Sequence, residues 1–364
     1  MKITLSPILT AYGLNAGSLE IAPMGSGLIN HTWIIRGSQR PYILQRINNA
    51  VFKKPRDIEE NISSIESFLK IHHPEYLFIA PIKTTDGREM IETEGHGYFR
   101  MFPFVENSHT VTVVNNTTQA WEAANQFGLF TKNLSGFPAA TLKHTLPDFH
   151  NLSLRYDQFQ LALENGNPQR IQQTADIIER MKAQYAIVDE YKRILSSPDF
   201  HLRVTHHDTK ISNVLFDAGD RGLCVIDLDT VMPGYFISDV GDMMRTYLSP
   251  VSEEESDFSR LEVREDFFRA IVNGYLREMG AELTKTEKEH FIYAGKFMIY
   301  MQALRFLTDH LNDDIYYGAK YEGHNLVRAG NQLALLDKLL EKQDRLWDIQ
   351  TEESLAQPRV RRPV

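Results

Sequence analysis

Cysteine, long apolar runs and an excess of positive charge are what this sequence has least of. Its single cysteine, Cys224, excludes an internal disulfide, and so little cysteine is typical of a protein in a reducing compartment. No stretch approaches the roughly 18 uncharged apolar residues that a membrane helix needs, and the first residues have no apolar run of signal-peptide length. We therefore expect a cytoplasmic protein without a membrane partner.

The charge balance is acidic, with 39 Lys+Arg against 48 Asp+Glu and a formal net charge of -9. Negative charge repels phosphate backbones, which argues against nucleic acid as a partner. The contents of 42% hydrophobic and 24% charged residues are ordinary for a globular protein. A chain of 364 residues is long enough for one large or two modest domains, and we expect a monomer or a homodimer.

The first hundred residues have mainly strand-like patterns. Residues 21–37 predict a strand, a glycine-containing turn and a second strand, and PYILQRI at 41–47 predicts a third. A helix is predicted next, because apolar residues recur at helical spacing between 58 and 69. The dipeptide Asp86-Gly87 then predicts a tight turn between two more strands.

After residue 106 the periodicity becomes helical. The apolar residues of Thr174–Leu195 share one face, which predicts one amphipathic helix, and Phe291–Leu307 is apolar nearly all round, which predicts a buried central helix. Between these helices, two strands are predicted around 214–216 and 223–226. The change of pattern predicts a domain boundary near residue 106.

One segment combines side chains suited to phosphoryl transfer. HHDTKISN at 206–213 has the spacing H-x-D-x-K-x-x-N, and an apolar strand follows it and leads into IDLD at 226–229. Phosphoryl transfer needs an oriented hydroxyl and neutralisation of the charge on the transferred group. Asp208 can accept the hydroxyl proton, and Lys210 can stabilise charge on the moving group.

Two more side chains of this segment suit a magnesium site. Asn213 can turn back toward a metal ion, and Asp227 leaves the neighbouring strand. Both offer hard oxygen donors, which Mg²⁺ prefers alongside substrate phosphates. A bare D-x-x-x-x-N occurs by chance in many surface loops, but the full string with its flanking His, Lys and second Asp is far rarer. The sequence thus predicts a kinase-like site.

A rival interpretation treats the histidines as ligands of a catalytic zinc. The candidate cluster would be His201, His206, His207 and Asp208. Adjacent histidines on a strand point to opposite faces, and the i, i+4 His pair of zinc proteases is missing. A metal hydrolase is therefore kept as an alternative and not as the main prediction.

The H-x-D-x-x-x-x-N pattern resembles the catalytic loop of protein kinases, and it is more similar to the aminoglycoside phosphotransferase and choline kinase superfamily. The resemblance implies an α+β, bilobal protein-kinase-like fold. A small N-terminal lobe, residues 1–106, would bind nucleotide with an antiparallel sheet plus a helix. A large, mainly helical C-terminal lobe, residues 107–364, would carry the catalytic loop and the acceptor site. The implied cofactors are ATP and Mg²⁺, with Asp208 as base and Asn213 and Asp227 as metal ligands.

Three residues are assigned to supporting the loop. The resemblance implies that His206 braces it. We interpret Asp239 and Asp242 as structural, capping the helix that follows Pro233-Gly234 and bracing the catalytic loop.

The predicted small lobe offers a less specific nucleotide site. Gly25-Ser26-Gly27 lies between two predicted strands, where glycines let backbone amides approach phosphates, although plain hairpins have the same pattern. Kinases carry a Lys on the third strand, paired with a helix Glu. This strand has Gln45 and Arg46 instead, and the alternation leaves open which of them faces the phosphates. Glu60 is our choice for the helix Glu over nearby glutamates.

The run YFRMFPFVE at Tyr98–Glu106 predicts the last strand of the small lobe and a hinge. The superfamily binds adenine through hinge backbone groups, and Met101 and Phe104 are the implied nucleotide-binding positions. A buried edge strand would give the same pattern.

Three segments are similar to the bacterial N-acetylhexosamine 1-kinases. Those enzymes phosphorylate the anomeric hydroxyl of N-acetylglucosamine or N-acetylgalactosamine with ATP and Mg²⁺. The segments are HHDTKISNVLFD, CVIDLDTVMPGYFISDVGDMMR and LRFLTDHLNDDIYY. GSGLINHTW and YILQRIN, which lacks the strand Lys, are similar too, so the resemblance covers roughly residues 20 to 320.

This narrower resemblance places His31, Asp208, Asp229 and Arg305 at a sugar pocket. Hydroxyl-rich ligands are held by directional hydrogen bonds from charged groups, and an unpaired charge in an apolar helix is costly. Arg305 could instead pair with Asp309 one turn later. Other acceptors stay open, among them aminoglycosides, homoserine, choline and other sugars. An inactive nucleotide-binding module also stays open, because the strand Lys is missing.

Overall fold

The computed structural model describes residues 5–24 and 30–356. Its N-terminal part contains a five-stranded antiparallel sheet with the spatial order β1-β2-β3-β5-β4, as predicted. The strands are β1 (Glu20–Pro23), β2 (His31–Arg36), β3 (Tyr42–Arg46), β4 (Ile91–Thr93) and β5 (Gly97–Pro103).

The strand register sorts the side chains of this sheet onto two faces. In the pairing of β3 with β5, Gln45 lies opposite Arg100 and Leu44 lies opposite Met101. Residues directly opposite each other share a face. Gln45 and Arg100 therefore lie on one face, and Leu44 and Met101 lie on the other, where they pack with apolar residues of the short helix α1 (Ser6–Ala11).

Helix α2 (Pro55–His72) follows the third strand. It begins at a proline, whose missing N–H is no loss at a helix start. The predicted apolar face is confirmed, because Ile58, Ile62, Ile65 and Leu69 are all buried. These side chains belong to the same hydrophobic core as the later helices, so α2 joins the sheet to the helical part.

The predicted turn at Asp86-Gly87 exists, but the expectation that it joins two strands was wrong. β4 and β5 are joined instead by a turn that contains Gly95. Asp86 is bound within its own loop, where its carboxylate accepts a hydrogen bond from Thr84 and lies 2.6 Å from Arg88. The dipeptide identified a turn but carries no information about the elements that flank it.

The rest of the chain is mainly helical. The helices are α3 (Thr117–Asn133), α4 (Leu152–Asn165), α5 (Pro168–Gln173), α6 (Ala175–Ala183), α7 (Ala186–Ser196), α8 (Phe236–Tyr247), α9 (Glu265–Met279), α10 (Lys285–Glu289), α11 (Phe291–Leu311), α12 (His324–Glu341) and α13 (Gln343–Ala356). The predicted central helix is confirmed as α11, which is buried around most of its circumference. Within residues 5–24 and 30–356, no helix has the length and apolar character for a membrane crossing.

The single helix predicted over Thr174–Leu195 was wrong. Two helices, α6 and α7, occupy this stretch and meet at Gln184 and Tyr185. The Tyr185 ring packs 4.7 Å from the ring of Tyr156, measured between centroids. Both helices contribute apolar residues to one core, so the apolar pattern continues across the break and did not reveal it.

Two short strand pairs interrupt the helices. β6 (Arg203–Thr205) pairs with β9 (Met232–Gly234), and β7 (Val214–Phe216) pairs with β8 (Gly222–Val225). The two strands predicted in this region are confirmed as β7 and β8. The chain is thus α+β, with a small antiparallel sheet and a large helical part. The boundary near residue 106 stays a prediction.

Candidate active site

The H-x-D-x-K-x-x-N segment lies in the loop between β6 and β7. Residues 206–210 lead into a one-turn 3₁₀ helix, Ile211–Asn213, which precedes β7. The backbone N–H of Ile226 donates to the carbonyl oxygen of Asn213 at 2.9 Å. This hydrogen bond holds the residue after β8, and with it Asp227, beside the loop.

Asp208 is the carboxylate around which the loop is organised. Its Oδ1 lies 2.9 Å from Lys210 Nζ, and its Oδ2 accepts a hydrogen bond from the side-chain amide of Asn213 at 3.1 Å. The same amide donates to the backbone oxygen of Asp208 at 2.9 Å. The Asp208 side chain keeps 19% of its surface exposed, so it is accessible to an incoming hydroxyl.

The surrounding charges keep Asp208 ionised. Burial alone would raise its pKa, but the Lys210 ammonium and the Asn213 hydrogen bond outweigh burial and hold the pKa below its usual range. For Lys210, burial would lower the pKa, but the carboxylates of Asp208 and Asp242 raise it. Near neutral pH the pair is therefore a carboxylate beside an ammonium, which suits a proton acceptor in phosphoryl transfer.

Asp227 has an unusual backbone and an unusual charge environment. Its φ of 60° and ψ of 62° are left-handed, a conformation that Asp adopts more readily than most residues. The residue is exposed at the surface of the site. Desolvation by the surrounding protein and then the nearby carboxylates of Asp229 and Asp208 raise the pKa of Asp227 to about 7.

The oxygen donors at this point fit Mg²⁺. Asp227 supplies a carboxylate, and Asn213 has an amide oxygen left over because its NH₂ group is bound to Asp208. A divalent cation would relieve the repulsion between carboxylates that helps to raise the pKa of Asp227. The described residues contain no group of three or more His, Cys, Asp or Glu arranged for a metal. Mg²⁺ would therefore depend on phosphate and water oxygens for its remaining ligands.

Two buried carboxylates of α8 hold the loop in place. Asp239 accepts hydrogen bonds from the backbone N–H groups of His206 at 3.0 Å and His207 at 2.7 Å. Asp242 accepts one from the backbone N–H of Thr209 at 2.9 Å. The predicted bracing role is confirmed. The predicted capping role was wrong, since α8 begins without a side-chain cap.

The two histidines before Asp208 are packed in the interior. His206 Nε2 lies 3.0 Å from the carbonyl oxygen of Ile226, so His206 links the loop to the Asp227 side. His207 has a left-handed φ of 67°, and its Nδ1 lies 3.3 Å from Nδ1 of His150. Burial lowers the pKa of His206, and it lowers the pKa of His207 to about 3. The histidines have separate partners, and no three His, Cys, Asp or Glu of the described ranges are arranged for a metal, which argues against the zinc cluster of the rival interpretation.

Arg100 on β5 has a central place that the sequence interpretation missed. Its Nε and Nη2 donate to Gln45 Oε1 at 3.2 and 2.9 Å. Nη2 also lies 2.5 Å from Asp229 Oδ1, and the two side chains are 2% and 3% exposed. Asn30 Nδ2 donates to the other Asp229 oxygen at 2.8 Å. The available signal was one Arg in the otherwise apolar run YFRMFPFV.

The register places Gln45 and Arg46 on opposite faces of the sheet, and which of them faces the phosphates stays a prediction. Gln45 lies on the face that contacts Asp229 through Arg100, whereas Arg46 pairs with His31 on the opposite face. His31 is exposed there, and its neighbour Asn30 makes the contact with Asp229 instead. A contact between His31 and an acceptor stays a prediction.

The nucleotide-binding role predicted for Met101 gains no support from its contacts and stays a prediction. This residue is fully buried between the sheet and α1, and its carbonyl oxygen accepts a hydrogen bond from the backbone N–H of Ile82 at 2.7 Å. Phe102, one residue later, faces the Arg100 side, with the guanidinium carbon 5.0 Å from the ring centre. Phe104 lies just after β5, and its nucleotide-binding role stays a prediction.

Two more small-lobe predictions gain no support from contacts. Glu60 is exposed and lies 3.6 Å from Lys143 Nζ. The next residue, Asn61, connects α2 to the helical part, because its side-chain amide donates to the backbone oxygens of Lys143 and Val231 at 2.9 and 3.0 Å. Gly25-Ser26-Gly27 lies outside the described residues.

Arg305 on α11 lies among aromatic rings. Its guanidinium carbon is 5.4 Å from the ring centre of Tyr317 and 5.6 Å from that of Phe149, and Nη1 donates to Gln302 Oε1 at 3.2 Å. The alternative partner, Asp309, accepts hydrogen bonds from two backbone N–H groups of the loop after α11. Arg305 therefore keeps donors available for a ligand.

His150 connects Arg305 to the catalytic loop. The His150 ring stacks on Phe149 with 4.4 Å between centroids, and its Nδ1 lies 3.3 Å from that of His207. Burial, followed by the nearby His207 and Arg305, lowers the pKa of His150 well below its usual range. Arg305 thus lies on the same side of the molecule as the catalytic loop, although about a hundred residues separate them in sequence.

Comparison with known proteins gives the family. Residues 20–280 match the profile of the phosphotransferase enzyme family, which is more than half of the 364 residues. The chain belongs to the phosphotransferase enzyme family. The catalytic loop, Asp227 and the braces of α8 all lie within the matched residues of this phosphotransferase.

Several solved structures share its architecture. An aminoglycoside phosphotransferase from Alicyclobacillus acidocaldarius has a TM-score of 0.62 at 11% identity, covering 95% of this phosphotransferase and 98% of that chain. A microcompartment-associated aminopropanol kinase has a TM-score of 0.58 at 15% identity, with 93% and 97% covered. A choline kinase from Cryptosporidium parvum has a TM-score of 0.53 at 14% identity, with 96% and 98% covered. These likenesses confirm the protein-kinase-like fold.

Proposed function

We propose that this phosphotransferase moves the γ-phosphoryl group of ATP to the anomeric hydroxyl of an N-acetylhexosamine, giving the sugar 1-phosphate and ADP. The observation that carries the proposal is the ionised, partly exposed Asp208 carboxylate, held by Lys210 and Asn213 beside Asp227. Membership of the phosphotransferase family supports the reaction class. A spectinomycin phosphotransferase of the same fold was solved with ADP and spectinomycin.

In this proposal the nucleotide lies in the cleft between two lobes, residues 1–106 and 107–364. Asp208 orients the anomeric hydroxyl and accepts its proton as the new O–P bond forms and the bond from phosphorus to the ADP oxygen breaks. Lys210 keeps Asp208 ionised and places a positive charge next to the transferred group. Mg²⁺, held by Asn213 and Asp227, would neutralise charge on the β- and γ-phosphates.

The surroundings of Arg305 support a neutral, hydroxyl-rich acceptor. A guanidinium with free N–H groups donates to hydroxyl and acetamide oxygens. The rings of Phe149 and Tyr317, which flank Arg305, offer apolar surface for the face of a sugar. A cationic acceptor such as choline or an aminoglycoside would be repelled by the same guanidinium, so we favour the N-acetylhexosamine.

An acceptor panel tests the proposal directly. ADP release would be measured with MgATP and N-acetylglucosamine, N-acetylgalactosamine, unsubstituted hexoses, homoserine, choline, ethanolamine and spectinomycin. We expect turnover with the two N-acetylhexosamines, and phosphorus NMR of the product should show a phosphate on the anomeric carbon. Turnover with choline or spectinomycin, and with no N-acetylhexosamine, would show that the proposed acceptor is wrong. ATP binding without ADP release on any acceptor would favour the inactive nucleotide-binding module.

Asp208→Asn tests the base. We expect turnover to fall by about 10²–10⁴-fold, the usual contribution of a positioned proton acceptor, while the Kd for MgADP stays near that of the wild type. Asp217→Asn is a matched control, because Asp217 is equally exposed at 20% and lies in the turn after β7. Near-wild-type turnover of Asp208→Asn would remove this mechanism.

A further inference from the structure

The buried cation of this site is Arg100, which lies on β5 and not on β3, where kinases carry their lysine. β3 has Gln45, not a lysine, on the face that contacts Asp229. Arg100 lies directly opposite Gln45 on β5 and is 1% exposed. Burying a guanidinium is unfavourable unless it is paired and hydrogen-bonded. Core packing alone therefore does not explain why a charged side chain is buried at this position.

Gln45 orients the guanidinium. Its Oε1 accepts from both Nε and Nη2 of Arg100, and its own amide lies 3.5 Å from Thr32 Oγ1 on β2. These contacts cross three adjacent strands and fix the plane of the guanidinium. A lysine in place of Gln45 would put two cations side by side, so Gln45 and Arg100 act as one unit.

Asp229 contacts the Arg100 guanidinium on the side away from the strands. It lies in a one-turn 3₁₀ helix, Leu228–Thr230, directly after Asp227. Arg100 and Asn30 contact its two carboxylate oxygens at 2.5 and 2.8 Å, and Thr145 Oγ1 donates to its backbone oxygen at 2.7 Å. Asp229 is thus tied to the sheet by its side chain and to the helical part by its backbone.

We propose that Arg100 is a positioning residue whose ion pair with Asp229 locks the segment from Asp227 to Asp229 against the sheet, in place of the strand lysine and helix glutamate of other kinases. This assigns Asp229 to the nucleotide side of the site, whereas the resemblance to N-acetylhexosamine kinases had placed it at the sugar. Only 3% of the Asp229 side chain is exposed, its Oδ2 accepts from Asn30, and its Oδ1 faces the Arg100 guanidinium at 2.5 Å without hydrogen-bond geometry. Asp229 therefore has little surface left for a sugar hydroxyl.

The inference rests on phosphoryl transfer as the proposed function but not on the identity of the acceptor. Unsatisfied polar atoms of the pair also support it. Among the residues that the structure describes, Nη1 of Arg100 and Oδ1 of Asp229 are both buried without a hydrogen-bond partner. A buried guanidinium with a free donor next to Asp227 is well placed to act on the group that occupies the nucleotide side.

The test compares Arg100→Met, Arg100→Lys, Asp229→Asn and the double variant Arg100→Met with Asp229→Asn. The readouts are kcat, KM for ATP, KM for the acceptor, the Mg²⁺ concentration for half-maximal rate, and the Kd for MgADP by calorimetry. Arg36→Met is the matched control, because Arg36 is also a strand arginine of this sheet but has an exposed side chain.

We expect Arg100→Met and Asp229→Asn each to weaken MgADP binding and raise the Mg²⁺ requirement by roughly tenfold or more, with an unchanged KM for the acceptor. Arg100→Lys should recover part of the loss. The two single effects should not multiply in the double variant, because both remove one interaction. Arg36→Met should behave as the wild type.

Two results would overturn the inference. One is an Asp229→Asn variant whose acceptor KM rises while MgADP binding is unchanged, which would make Asp229 a sugar ligand. The other is full multiplication of the single effects in the double variant. If Arg100→Met fails to fold, MgADP binding is measured on the double variant, because that variant leaves no unpaired buried charge. Because that binding needs no acceptor, a wild type inactive on every acceptor would reject the proposed function and leave this inference measurable.

Discussion

Asp239 shows how single residues set the geometry of this site. One buried carboxylate accepts the backbone N–H groups of two successive residues, His206 and His207, and so fixes the chain just before Asp208. Burial raises the pKa of Asp239 to about 7, although these two hydrogen bonds favour its ionised form. The two N–H groups of His206 and His207 therefore depend on the Asp239 carboxylate as their acceptor.

Asp239→Ala should therefore destabilise the protein and disturb the loop. Two buried N–H groups would lose their partner, which costs about 2–4 kcal/mol in the free energy of unfolding. Denaturant unfolding measures this change, and kcat should fall in parallel. Asp176→Ala, in the first turn of α6 where the side chain is exposed, is the control. Equal stability of the two variants would contradict the bracing role.

In the proposed function, the choice of acceptor depends most on Arg305. Arg305→Met should raise the KM for the acceptor by roughly tenfold or more, the usual effect of losing a charged hydrogen-bond donor, with little change in the KM for ATP. Lys296→Met is the control, since nine residues, or two and a half turns, place Lys296 on the opposite side of α11. A rise in the KM for ATP alone would mean that Arg305 serves the nucleotide.

At the scale of elements, the catalytic loop contains two buried histidines, His206 and His207, and packs against the half-buried His150. His150, His206 and His207 all have pKa values lowered by burial. The unfolded chain takes up protons at these positions below about pH 6.5, whereas the folded loop does not. The histidines therefore contribute stability that is present at neutral pH and is lost as the pH falls from about 6.5 toward 3. The raised pKa of Asp239 acts in the opposite sense, contributing stability at low pH that is lost as the pH rises toward 7.

His207→Asn isolates one of these contributions. Asn tolerates the left-handed backbone of this position and does not titrate. Between about pH 4 and 6, the unfolding free energy of the variant should fall less steeply on acidification, by about 1.4 kcal/mol per pH unit. Urea unfolding across that range measures the two slopes, and the Asp239 effect cancels in their difference. Parallel slopes would show that His207 does not stay neutral in the fold.

At the scale of the whole molecule, one large core is shared by α2 and the later helices, and a smaller one lies between the sheet and α1. Helix α13 contributes to the larger core. Leu346 and Ile349 of α13 are buried at 0% and 1% exposure, and the carboxylate of Glu353 pairs with Arg269 of α9. The site itself is assembled from the sheet, the β6–β7 loop and α8. Stability and chemistry therefore depend on different parts of one fold.

The variants Leu346→Ala and Ile349→Ala should separate the stability of the protein from its catalytic activity. Each leaves a cavity and should lower the free energy of unfolding by about 2–5 kcal/mol, while kcat and KM at moderate temperature stay near those of the wild type. Trp347→Ala, at a position that is 45% exposed, should change stability far less. A change in KM for either substrate would mean that α13 influences the site.

Much of the site followed from local sequence, because the catalytic segment is short. Asp208, Lys210 and Asn213 lie within six residues, so they stay close in space, although Asp239 and Asp242 fix the shape of the loop. The α+β class and the faces of α2 and α11 followed from periodicity in the same way. The break between α6 and α7 did not, since both helices pack on one core and the apolar pattern runs across it.

The sequence by itself determined the residue types of the loop and the α+β class, because both depend on neighbours along the chain. The tertiary structure alone decided that Gln45, and not Arg46, lies on the side of the site, because strand register assigns alternate residues to opposite faces. It also decided that Arg100 pairs with Asp229. The partner of a buried charge is the group that the tertiary fold places beside it, and the sequence around that charge does not identify this group.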